Sequence, residues 1–230
     1  LSRYKTGMDF TTFTRLFPGS CYKSLSLHRQ VILDALVLLN KQWQRRLTGD
    51  GQCYEQENWL NDFLPTVAKL EQEILARLTQ PTLTAQHKGK MLTLLQTQNN
   101  LAHLICRLAE RLTYRSSRLG EDLQRSVEQL NLHFARVVYS LKAGVTKQDR
   151  LGIPGFRKQQ SQALLEANQE ITIAVNELRN IISACKGKVF QHEGELDPLD
   201  MALLLLSLDD MDDLALWIHS MVIHLQQLSR

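Results

Sequence analysis

The sequence predicts an all-α protein: six long helices arranged as two similar antiparallel three-helix bundles. Three observations carry that reading. Apolar residues recur at three- and four-residue spacing along extended stretches, the period of a helix with one buried face. Only 5 prolines and 11 glycines punctuate the 230 residues, and most fall between the apolar stretches. The stretches divide into two sets of three, about 24–118 and 119–230, after an irregular segment 1–23. Two linked three-helix bundles forming one compact unit are the simplest way to bury such stripes. At 43% hydrophobic and 22% charged residues, the composition supports a sizeable core.

Each element follows from its own signals. The Pro18-Gly19 pair marks a turn, and Ser24 or Ser26 is placed to cap a first helix carrying Val31, Ile32, Ala35, Leu36, Leu39 and Trp43. Gly49-Asp50-Gly51 ends it. A second helix, about 53–79, presents Trp59, Phe63, Val67, Leu70, Ile74 and Leu78, with Pro65 as an expected kink and Pro81 as a stop. A third, about 84–116, carries Met91 to Leu112 and ends before Gly120. The fourth, about 121–143, shows Leu123, Val127, Leu130, Phe134, Val137 and Leu141. AGVTKQDRLGIPGF (143–156), with three glycines and a proline, reads as a loop and a candidate functional surface. The fifth helix covers about 157–188. The sixth runs from Pro198 to about Leu228, with Asp197 as its cap and Asp200 in its positive first turn. Within it LLSLDDMDDLAL (205–216) lies over LLQTQNNLAHLI (94–105) of the third helix, Leu214-Ala215 matching Leu101-Ala102, as a weak internal repeat.

The net charge of +3 conceals an asymmetry. Residues 193–230 hold eight acids and one base, and the rest of the chain 26 bases and 16 acids. Such opposite fields predict either internal pairing or a basic surface free for an acidic partner. The bases are dispersed without interleaved aromatics, so nucleic acid is not the expected partner. Cys21, Cys53, Cys106 and Cys185 lack any C-x-x-C spacing, and no basic segment followed by an apolar one opens the chain. The longest apolar run, Met201–Leu206, is far too short to span a bilayer. A cytoplasmic protein with reduced thiols is expected, Cys106 and Cys185 buried.

Nucleophilic catalysis has no motif here: there is no G-x-S-x-G and no Gly-rich phosphate cradle, and an enzyme is not expected. The aspartates of LSLDDMDDLALWIH (206–219) are the best candidates for a site. Asp209 and Asp213 are four apart, which stacks their carboxylates on one helix face as two oxygens for a hard cation. Asp210, Asp212 and His219 are the neighbours such a site would draw on. The competing reading is a solvated acidic stripe beside a basic body. Glu166 and Glu170, also four apart, read as surface.

The stretch FQHEGELDPLDMALLLLSLDDMDDLA (190–215), the element GFRKQ (155–159) and the opening KSLSLHRQVILDALVLL (23–39) together resemble the PhoU-like phosphate-transport regulators, specifically the subgroup associated with Pit-type inorganic phosphate permeases. The resemblance spans roughly 16–230 and implies two similar three-helix bundles. It also implies helical acid-x-x-x-Asp motifs that hold metal clusters, and here only Asp209 and Asp213 match. Positions where the family carries acids are Asn99, His103 and Arg107 on the third helix, and near Leu64 and Ala68 on the second. On the fifth they are near Val175 and Arg179, and later on the sixth Leu216 and His219. The chain thus resembles a divergent member, with at most one weakly held divalent or ferric ion at Asp209 and Asp213. The implied role is a cytoplasmic, non-enzymatic accessory protein, peripheral to the inner membrane and docked on an inorganic phosphate permease. Lys147, Arg150, Arg157 and Lys158 would contact acidic permease segments or lipid headgroups. A scaffold without a phosphate role and a metal-sensing protein are the alternatives, and homo-oligomerisation is open.

Overall fold

The computed structural model describes residues 21–48, 58–79, 85–114, 119–150 and 157–229. They form six helices: α1 (Cys21–Thr48), α2 (Asn58–Leu78), α3 (Ala85–Tyr114), α4 (Glu121–Arg150), α5 (Arg157–Gln191) and α6 (Pro198–Ser229). No strand occurs among the described residues. In the first half α2 rests on α1 and α3; in the second, α5 rests on α4 and α6. The halves meet through two like-for-like pairings, α1 with α4 and α3 with α6. The buried apolar residues form one continuous core, in which Ile32, Leu36, Leu39, Ile74, Leu101, Ile105, Phe134, Leu178, Leu214 and Ile218 are solvent-free, and Trp59 of the second helix packs against it partly buried. Fixing helices this long in place rests mainly on burying such faces, since propensity alone contributes little.

α6 runs antiparallel to both its main neighbours. Lys90 Nζ on α3 donates to the Gln227 carbonyl, and Thr97 pairs with His224, whereas Arg111 further along α3 reaches the Leu206 carbonyl. On α5 the order is likewise reversed, with Arg179 against Asp212 and Lys186 against Asp209. The start of α6 follows its sequence signals: Asp197 Oδ1 accepts from the backbone N–H of Leu199 at 2.9 Å and of Asp200 at 3.4 Å.

Two expectations are corrected. The first helix is already formed at Cys21, so neither Ser24 nor Ser26 caps it. Ser24 lies among the buried residues, and packing of Cys21 and Leu25 extends the helix past the cap signal. The stretch 143–156 is not one loop, because α4 continues to Arg150; only 151–156, with Gly152 and Gly155, lie outside the described residues. Gly144 is a packing glycine inside a helix. A Cβ there would lie 2.8 Å from Ile171 Cδ1 on α5, and the adjacent Val145 is buried. The second helix is described from Asn58, with Pro65 inside it, and 53–57 of the stretch expected for it lie outside the described residues. Residues 1–20 lie outside the described residues, and with them most of the segment read as irregular.

Cys21, Cys106 and Cys185 are buried free thiols, and Cys53 lies outside the described residues. Burial pushes the Cys106 thiol up to about 12 and Cys185 to about 11. Neither is a reactive thiolate at neutral pH.

Candidate functional site

The aspartate run of α6 is divided between two neighbours. Successive helical residues are rotated by about 100°, so residues three apart share a face more closely than adjacent ones do. Asp209 and Asp212 turn toward α5, and Asp210 and Asp213 toward α3. Lys186 Nζ lies 2.5 Å from Asp209 Oδ1. Arg179 donates from Nε to Asp212 Oδ1 at 2.7 Å and from Nη2 to Oδ2 at 3.4 Å, and that pairing raises the Arg179 pKa further. On the other flank Arg107 Nη2 lies 2.6 Å from Asp210 Oδ1 and 3.8 Å from Asp213 Oδ2. Arg111 places Nη1 against Asp210 Oδ2 while donating to the Leu206 carbonyl at 2.6 Å.

Of the four, only Asp210 is buried. Its carboxylate is held by two guanidinium groups one helical turn apart, the arrangement a desolvated acid requires. Asp212 is half-buried, while Asp209 and Asp213 are exposed. The two residues expected to act as one carboxylate pair therefore have cations on different helices as partners. His219 lies half-buried six residues beyond Asp213 on α6.

A divalent or ferric ion needs several convergent oxygen or nitrogen donors. Here the nearest groups to the four carboxylates are an ammonium and three guanidinium groups. Among the described residues no three His, Cys, Asp or Glu side chains come together as a metal set. The side chains present do not fit such an ion. They form an ion-pair clamp that fastens α6 to α3 and α5, and beside it along α5 runs a polar hollow of about 420 Å³ lined by Asn176, Asn180 and Ser183.

The first half carries a polar centre of different chemistry. His28 on α1 and Gln98 on α3 are both solvent-free, with His28 Nδ1 2.8 Å from Gln98 Oε1. Asn99 Nδ2 donates to Glu71 Oε1 on α2 at 2.6 Å. Burial, opposed by the Gln98 hydrogen bond and the Glu71 charge, holds the His28 pKa below the ordinary histidine value. His28 Nε2, Gln98 Nε2 and Asn99 Oδ1 are buried without a hydrogen-bond partner. Of the other positions where the family resemblance places acids, Leu64 is half-buried, Ala68 and His103 are exposed, and Val175 is in the core.

Sequence reasoning missed the four basic residues of the clamp. Two signals pointed to them: Arg107 and Arg179 stand where the resemblance places acids, and the charge asymmetry allowed internal pairing. Of the proposed contact residues, Lys147 is exposed near the end of α4. The side chains of Arg150, Arg157 and Lys158 lie outside the described residues.

A six-helix all-α fold with paired halves defines the class of molecule. Solved structures share that fold. One is a protein from Shewanella oneidensis MR-1 described as a PhoU-like phosphate regulatory protein, with TM-score 0.73 and 19% identity, covering 93% of this chain and 98% of the other. A second, described as a PhoU-like protein from Shewanella oneidensis MR-1, gives TM-score 0.67 at 17% identity, covering 90% and 94%. No family model matches the sequence, and no curated protein matches it either.

Proposed function

We propose that this chain is a non-enzymatic regulator or accessory protein of inorganic phosphate transport, acting from the cytoplasmic side by docking on a phosphate permease. The observation that carries this reading is the likeness of fold, over nearly the whole of both chains, to a protein described as a PhoU-like phosphate regulatory protein. No helix among the described residues is long and apolar enough to cross a membrane; in this reading the permease is the membrane-spanning component. In this reading the α6 clamp takes the place of a metal cluster. Arg107, Arg111, Arg179 and Lys186 supply the positive charge that a bound cation would otherwise bring to the aspartates. Regulation then depends on protein contacts rather than on metal availability.

The test is capture of detergent-solubilised phosphate permease on the immobilised chain at low and high salt, beside phosphate uptake in cells lacking the gene. Retention at low salt, weakened at high salt, together with altered uptake, is the expected result. No retention at low salt and unchanged uptake would sink the proposal.

A further inference from the structure

α6 is apolar around most of its circumference, as a helix surrounded by neighbours should be, yet the strip it leaves to solvent is also largely apolar. From Leu199 to Gln227 its exposed residues are Leu199, Ala202, Leu206, Asp209, Asp213, Leu216, Ile223 and Gln227, with Ser220 half-buried on the same line. The spacing alternates three and four residues without a break. That spacing places them at positions a and d of successive heptads, the register a packed helix pair uses. Leu199 is 55% exposed, Leu206 45%, Leu216 40% and Ile223 39%, so the apolar seam positions lack a partner over much of their surface.

The seam is also a palindrome about Met211. Leu199 mirrors Ile223, Ala202 mirrors Ser220, Leu206 mirrors Leu216, and Asp209 mirrors Asp213. Each pair matches a large apolar, a small or an acidic residue with its like. Each pair also joins an a position to a d position. Antiparallel helices related by a twofold axis pair a with d, because reversing one chain reverses the order of its three- and four-residue steps. An isologous interface demands this: residue i meets j, and j meets i.

We propose that α6 is a dimerisation helix, two copies of this chain packing antiparallel along the seam about a twofold axis at Met211. Leu199 meets the partner's Ile223 at each end, Leu206 meets the partner's Leu216 nearer the axis, and Ala202 opposite the partner's Ser220 lets the backbones approach. At the centre Asp209 faces the partner's Asp213. Lys186 and Arg107, which already reach these two carboxylates, offset that repulsion. The acidic layer costs affinity and fixes the register, as a single polar layer does in a coiled coil. This proposal stands apart from the docking function above.

The test is the solution mass of the full chain by sedimentation at tens of micromolar. A dimer is expected for the parent. Leu206→Glu/Leu216→Glu should give a monomer with unchanged helicity, whose melting temperature no longer depends on protein concentration as the dimeric parent's does. Leu206→Glu/Leu216→Lys should dimerise again, because antiparallel pairing sets each new glutamate against the partner's new lysine. Asp209→Asn/Asp213→Asn should tighten the dimer. A monomeric parent overturns the proposal, as does a dimer that survives Leu206→Glu/Leu216→Glu. Dissociation without rescue overturns the antiparallel register. A monomeric parent whose Leu206→Glu/Leu216→Glu form loses permease capture would assign the seam to that partner instead.

Discussion

The two polar centres of this molecule solve one structural problem with different chemistry. Between α1, α2 and α3 the centre is closed and nearly uncharged: His28 and Gln98 are sealed from solvent, and Asn99 reaches the part-buried Glu71. Along α6 it is open and charged, four aspartates meeting four bases across two helix interfaces. The difference lies in what each centre can tolerate losing. A closed centre built on His28 and Gln98 is sensitive to gaining a charge, and a charged clamp to losing one partner. A desolvated group is costly when its partner goes, whereas an exposed ion pair contributes little.

The largest effect should come from removing the buried member of the clamp. Asp210→Ala leaves Arg107 and Arg111 facing each other across a small void, with Arg111 partly shielded from water. Breaking a buried pair from one side typically costs about 3–5 kcal/mol. Arg107 is half exposed and can turn to water, so a loss of about 3 kcal/mol is expected, read as a lower urea midpoint with unchanged slope. A loss under about 1 kcal/mol would mean that the clamp is a surface feature and the contrast between the centres is false.

Acidification probes the other centre and works through the opposite failure. The His28 pKa is depressed by burial, so the unfolded chain takes up a proton before the folded one does. Stability from this group is constant above the ordinary histidine pKa of about 6.5. It falls as pH drops below that value, by no more than about 1.4 kcal/mol per pH unit, and levels off below the depressed folded value. His224, shifted down by burial in the same way, adds a second contribution. Asp122 acts at lower pH, because Lys188 holds its carboxyl below the usual range and its stabilisation is lost only as that group protonates. Urea midpoints at pH 7.5 and 5.5 should therefore differ for the parent, and the difference should shrink in His28→Gln. An equal difference in both would place the sensitivity at His224 or elsewhere.

How far each centre was legible in the sequence follows from how local its signals are. The apolar period of Ile32 to Trp43 or Leu123 to Leu141 is written within single helices, and those faces are in the core. The Asp197 cap is equally local and stands as read. Gly144 was misread because the reason for it lies on another helix, in the approach of Ile171. The clamp was illegible for the same reason. Asp209 and Asp213 share a face by count, but their partners are set by how α3 and α5 flank α6, and no local pattern specifies that. His28 and Gln98, 70 positions apart, are likewise joined only by tertiary packing.

The smallest effect is expected at the two exposed aspartates of α6. Asp209 and Asp213 are exposed, Asp209 against Lys186 and Asp213 at the edge of the Arg107 guanidinium, so each pair is screened by water. Asp209→Asn/Asp213→Asn should change the folding stability of dilute protein by less than about 1 kcal/mol, the usual range for surface ion pairs. Parent and variant, incubated with Mg²⁺, Mn²⁺, Zn²⁺ or iron and then desalted, should retain no stoichiometric metal. The reason is that Lys186 and Arg107 already supply positive charge where the ion would have to sit, and displacing them would leave two bases beside a cation. Metal held by the parent and lost in the variant would reverse this ordering. The clamp would then be the resting form of a metal site, with Lys186 and Arg107 as the groups that swing away on binding, and the contrast with the neutral centre of the first half would become one between a ligand site and a purely structural one.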